Sequence, residues 1–235
     1  MSLRTVLVSR PASDVGSRRL GTGWRVVALV EVLVAVAVVA RDLLLPTVLL
    51  VVMALASLVV RRDGWSSLGL HRVTRPGRLA AVTLVLTVAW TVVQLAVVMP
   101  VLEHLSGSHQ DLGVFTDLQG NLPLLVALLV VSWTLAALGE ELAYRGYLRT
   151  RLVDLLGSGP TAAVAAAVLS AAVFGLAHSE QGVVGVGATF CDALFFTALA
   201  RRSPGGLWAA VLAHGFNNTI GLTAYFLVGP VHGLW

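Results

Sequence analysis

Lysine is absent from this chain and cysteine occurs once, at position 191. A single cysteine excludes an intramolecular disulfide and any cysteine-based metal cluster. Cys191 lies inside an apolar run, where it reads as a small core residue. Charge of either sign is also scarce: 12% of the 235 residues are charged while 57% are hydrophobic, and the mean hydropathy is +0.87. Soluble domains carry about 25% charged residues, so the apolar excess here must face something other than water. No internal repeat, low-complexity linker or separate polar domain interrupts the pattern.

The net charge of +4 and pI of 10.2 would suit a nucleic-acid binder on balance alone. The placement of the charges excludes that reading. All 16 basic residues are arginine, and they fall in clusters between apolar runs instead of along one stripe. That is the pattern of membrane topology, not of a surface that tracks phosphates. The Arg-only, Ala- and Val-rich composition points to a GC-rich bacterial genome and an inner-membrane location.

Seven apolar runs reach or approach the roughly 20 residues that span a bilayer: 24–40, 43–60, 79–101, 122–138, 161–177, 182–200 and 207–228. Only helices satisfy their backbone within such runs, so the expected fold is an all-α polytopic transmembrane helix bundle of about seven spans. Arginines gather in the leader, in the second loop, and around positions 145–151 and 201–202. Loop 102–121 holds Glu103, Asp111 and Asp117 but no Arg, and only Arg41 breaks the alternation. With 15 of 16 arginines on one side, the positive-inside rule places the N-terminus in the cytoplasm. The leader lacks a small-residue cleavage site and reads as a tail before a signal anchor. The expected organisation is a cytoplasmic tail at 1–23, N-terminal helices and loops at 24–119, and a four-helix catalytic core at 120–235.

Ionisable groups at membrane depth need a reason. Apart from Glu31, which reads as reaching the interface, they concentrate between residues 140 and 218. Glu140 and Glu141 are adjacent, and Arg145 stands one turn beyond Glu141 and can pair with it, which leaves Glu140 on another face. Phe174 and His178 share a face, as do His214 and Asn218, with Asn217 beside them. Each group alone has an ordinary reading: a charged turn, an interfacial histidine bonded to a carbonyl, hydrogen-bond glue between helices. Asp192 reads as support for the site more than as a reacting group. His71, His104, His109 and His232 read as solvated, and Trp24, Trp65 and Trp208 as interfacial anchors.

Together these groups supply what peptide hydrolysis needs. Glu140 with His178 can polarise a water, and His214 with Asn218 can stabilise the tetrahedral intermediate. Glu140, His178 and His214 can instead ligate a divalent metal such as zinc, although the His-Glu-x-x-His motif is absent. The same constellation also suits a non-catalytic scaffold or a proton-coupled transporter, but the broken paired helices of a repeat-built carrier are not evident.

At these residues the chain resembles the CPBP family of intramembrane proteases, the CAAX prenyl protease and bacteriocin-processing group. Glu140, Glu141 and Arg145 match its Glu-Glu-x-x-x-Arg motif, Phe174 and His178 its Phe-x-x-x-His, and His214 and Asn218 its His-x-x-x-Asn. The likeness covers roughly residues 120–228. It implies an endopeptidase acting on membrane-associated, peptide or prenylated substrates in the bilayer, with catalytic Glu140, His178, His214 and Asn218 supported by Glu141, Arg145, Phe174 and Asn217. Metal dependence and metal-free glutamate chemistry are both compatible with the family; the metal-free reading, needing no cofactor, is favoured. Bacteriocin self-immunity is the non-enzymatic alternative.

A turn near Gly157 brings Glu140 and His178 within roughly 6 Å along two antiparallel helices. The topology nevertheless sets them at opposite ends of their runs, so the fourth helix must extend past Arg145 or the helices must tilt.

Overall fold

The computed structural model describes residues 21–230 apart from Leu44 and Ser158. Most of the expected tail at 1–23, and His232, lie outside the described residues. The rest is helical: α1 (Thr22–Ala40), α2 (Pro46–Arg61), α3 (Pro76–Ser106), α4 (Leu122–Leu156), α5 (Pro160–Leu176), α6 (Gly182–Arg202) and α7 (Leu207–Val228). Among the described residues the only β-type pairing is an isolated bridge between Leu70 and Gly206. Each expected run therefore holds one helix.

Helices α1, α3, α4 and the α6 segment are long and apolar enough to cross a membrane, whereas α2 and α5 are shorter apolar helices. Helix α7 has 22 residues, but its polar middle of His214, Asn217 and Asn218 dilutes it. Large apolar side chains such as Val59, Val85, Leu105 and Leu227 cover the outside. This is an integral membrane protein whose apolar excess is turned toward lipid.

Proline and glycine set the boundaries. Pro46, Pro76, Pro123 and Pro160 sit in first turns, where a missing N–H leaves no bond unmade. Asn121 caps α4 by accepting from the Leu124 N–H at 3.2 Å. Gly107 and Gly229 end α3 and α7 at φ of 65° and 71°, in the left-handed region that glycine tolerates best. Inside α3, the i→i+5 segment Gln94–Val98 ends two residues before Pro100, where a helical N–H is missing.

Helix α4 is the axis of the bundle, packing against α2, α5 and α7. Over Ser132–Leu148 it widens to i→i+5 hydrogen bonding, a geometry that is usually brief and often found at functional sites. It continues unbroken past Arg145 to Leu156. The extension past Arg145, one of the two expected solutions, is thus present and carries Glu140 into the middle of the bundle.

Both ends are tied together. At the Arg-rich end, Arg151 pairs with Asp154 at 3.0 Å, Arg61 reaches Asp154 at 3.8 Å, and the Leu207 N–H donates to the Gly69 carbonyl at 2.9 Å. Glu31, expected to reach the interface, pairs with Arg61 and joins α1 to α2. A carboxylate in an apolar helix is better satisfied by a neighbouring guanidinium than left facing hydrocarbon. At the other end, the Asp111 N–H donates to the Gln181 carbonyl and the Gly120 N–H to Phe226, each at 3.0 Å.

Candidate active site

The widened part of α4 presents Glu140 and Glu141 in different directions. Glu141 is fully buried. Its Oε1 meets the Arg145 guanidinium at 3.1 Å, one turn along the same helix, and His214 Nδ1 at 2.9 Å on α7. A carboxylate only accepts, so Nδ1 of His214 carries a proton and the ring's orientation is fixed. The other ring nitrogen, Nε2, faces Glu140 Oε2 at 3.8 Å. That separation exceeds a hydrogen bond, yet a single water can touch both atoms. Glu140 Oε2 has no hydrogen-bond partner although it is buried.

Aromatic rings hold this array. The Arg145 guanidinium carbon lies 4.0 Å from the centre of Phe174 and 5.5 Å from that of Phe196, which offsets the unsatisfied donors of that buried cation. Phe196 also stacks on His214, with centroids 5.0 Å apart and planes 16° from parallel. Phe174 in turn touches His178 at 4.6 Å between centroids. His178 Nδ1 donates to the Phe174 carbonyl at 2.9 Å, which leaves Nε2 with a lone pair. Within 4 Å, Glu140 meets His214 and not His178.

A cavity of about 340 Å³ brings together Glu140, Phe174, His178, His214, Asn217 and Asn218. Glu141 and Arg145 stand behind its wall. Asn217 Oδ1 accepts from the Thr91 hydroxyl at 3.3 Å. No such bond engages Asn218 among the described residues, so its amide is the freer of the two.

Helix α3, outside the expected 120–235 core, supplies part of the wall. Asp192 accepts from Trp90 Nε1 at 2.6 Å and from Gln94 Nε2 at 3.1 Å, and Gln94 and Asp192 both line the cavity. Trp90, Thr91, Gln94 and Phe196 were not among the sequence candidates. An intramembrane Gln is the one signal that could have marked this part of α3.

Metal binding has a geometric requirement that the donors can be tested against. Among the described residues, no three His, Cys, Asp or Glu side chains converge as a metal site requires. Glu140 and His214 approach each other, but the array lacks a third converging donor.

Fold and cavity define a helical membrane protein with a chamber lined by Glu, His and Asn among apolar side chains. Residues 122–220 match the family model described as type II CAAX prenyl endopeptidase Rce1-like, a stretch that contains all three motifs. That match is consistent with the CAAX protease family that those motifs resemble and supports a CAAX-type protease. No curated protein and no solved structure matches the chain.

Proposed function

We propose that the chain is an intramembrane endopeptidase in which Glu140 is the general base. The observation that carries this reading is the buried, unpartnered Oε2 of Glu140 on the cavity wall, 3.8 Å from His214 Nε2. A desolvated carboxylate without a partner is costly, and a bound water relieves that cost while being polarised.

In the proposed reaction Glu140 takes a proton from that water as the oxygen bonds to the scissile carbonyl carbon. His178 Nε2 orients the water, and the carbonyl electrons move onto oxygen. The Asn218 amide and His214 stabilise this oxyanion. The C–N bond then breaks, and the proton held by Glu140 passes to the departing amine. The products are a carboxylate and a free N-terminus. Glu141 and Arg145 act through His214 by fixing its ring. The substrate class is a membrane-associated or prenylated polypeptide, and no metal enters the steps.

Purified protein incubated with a mixture of prenylated peptides, plain peptides and membrane proteins tests the reading, with products identified by mass spectrometry. New termini are expected from wild type and none from Glu140→Gln, and wild-type cleavage is expected to survive exhaustive chelation. Identical product profiles from the two proteins would shift the reading to a non-catalytic scaffold or immunity protein. Chelator inhibition reversed by zinc would replace the metal-free chemistry with metal chemistry.

A further inference from the structure

We propose that Asp192 is a positioning residue of the site. Through Trp90 and Gln94 it anchors α3, which lies outside the family-matched segment 122–220, and so sets where His214 and Asn218 stand. The proposal rests on the protease reading above and adds to it the helix that holds the oxyanion-stabilising groups in place.

Helical spacing brings the anchor together. Trp90 and Gln94 are one turn apart and share a face of α3, and Asp192, Phe195 and Phe196 are neighbours on α6 in the same way. Trp90 Nε1 donates to Asp192 Oδ1 at 2.6 Å and Gln94 Nε2 to Oδ2 at 3.1 Å, one bond for each carboxylate oxygen. The indole ring lies flat on Phe195, with centroids 4.9 Å apart and planes 10° from parallel. A buried carboxylate at membrane depth is costly, and these two donors are what α3 offers it.

Two lines of contact run from this anchor to the site. Phe195 touches Phe196 at 5.8 Å between centroids, and Phe196 stacks on His214. One residue beyond Trp90, the Thr91 hydroxyl donates to Asn217, the neighbour of Asn218. A single helix thus bears on both groups assigned to the oxyanion. Loosening α3 lets the imidazole and the amide shift, and a misplacement of about 1 Å can cost about 10²-fold in rate. Trp90 is not among the residues that line the cavity, so any effect of its N–H on turnover is transmitted through the protein.

Three variants separate geometry from charge. Asp192→Leu removes both acceptors. Trp90→Phe removes one donor and keeps an aromatic ring on Phe195. Asp192→Asn keeps the arrangement without the charge: its Oδ1 accepts from Trp90, and its Nδ2 donates to Gln94 Oε1 once that amide turns over. The readouts are kcat and KM per folded molecule on a peptide from the product screen, and the ring signals of isotope-labelled histidine by NMR in detergent. The His214 signal is assigned by its loss in His214→Gln. In Asp192→Leu and Trp90→Phe, kcat is expected to fall by about 10–10²-fold with KM little changed, and the His214 signal to move. In Asp192→Asn both are expected to return most of the way to wild type. Wild-type kcat or an unmoved His214 signal in the first two variants would overturn the proposal. So would an Asp192→Asn as impaired as Asp192→Leu, because the charge and not the geometry would then be what Asp192 supplies. Trp90→Phe decides the matter if Asp192→Leu does not fold. Identical product profiles from wild type and Glu140→Gln would remove the protease reading alone, and the histidine signals would still show whether Asp192 sets the position of His214.

Discussion

Glu140 and Glu141 carry the same side chain, and their neighbours separate them. Glu141 is buried against a cation and an imidazole that neutralise it. Glu140 faces a cavity in which one oxygen has no partner. Ionised neighbours in a dry site repel unless a cation or proton lies between them, and Arg145 with His214 supplies that compensation. The asparagines differ in the same way, Asn217 being engaged by Thr91 while Asn218 is open to the cavity. Asn218→Ala should therefore lower kcat by about 10²–10³-fold, the range for losing one oxyanion donor, with KM little changed. Asn217→Ala should cost much less. Steady-state kinetics on a peptide found in the product screen checks both, and equal losses would remove the distinction between the two amides.

At the scale of the element, the site depends on how closely α7 approaches α4. A Cβ at Gly215 would fall 2.5 Å from the Trp133 ring, whose Nε1 donates to Thr219 at 3.1 Å and so fixes the register of the two helices. Gly215 stands next to His214, so any displacement moves the imidazole from both glutamates. Gly215→Ala should destabilise the protein by about 1–3 kcal/mol through overpacking and lower kcat as well. Thermal unfolding in detergent and turnover measured side by side would show it; unchanged values in both would mean that the helices separate freely here.

This scale also marks what the sequence could reveal. Glu140, His178, His214 and Asn218 were legible because each is a polar group in or beside an apolar run, where the cost of burial announces it. The Glu141–Arg145 pair was legible from its spacing, which survives in the widened helix. The widening itself was not, because Ser132–Leu148 contains no proline to require it. Nor were Trp90 and Gln94, which reach Asp192 across 102 and 98 residues of chain. Phe196 resembles any core aromatic until its ring is found on His214. Periodicity and spacing report on one helix at a time, whereas these contacts depend on which faces meet.

Across the whole molecule, the apolar surface faces lipid and supplies little of the water-driven force that holds soluble cores together, so packing and polar clamps must do more. The buried network at the Arg-rich end is one such clamp. Arg61 on α2 pairs with Glu31 on α1, reaches Asp154 on α4 and accepts help from Ser57, to which its Nε donates at 3.1 Å. Its side chain is 6% exposed, with Glu31 and Asp154 at 16% and 20%. Removing one member of a buried pair strands its partners, at a cost of about 3–5 kcal/mol. Arg61→Ala should therefore lower the unfolding temperature substantially. The cavity lies in the other half of the bundle and none of these residues lines it, so turnover per folded molecule should remain close to wild type. The comparison is made below the variant's unfolding temperature, with the folded fraction measured in the same sample. If Glu31 and Asp154 are the stranded groups, Arg61→Lys should recover part of the loss, since an ammonium restores the charge without the guanidinium's fork. Turnover that falls as steeply as stability would instead mean that α1 and α2 hold the catalytic helices in place across the full length of the bundle.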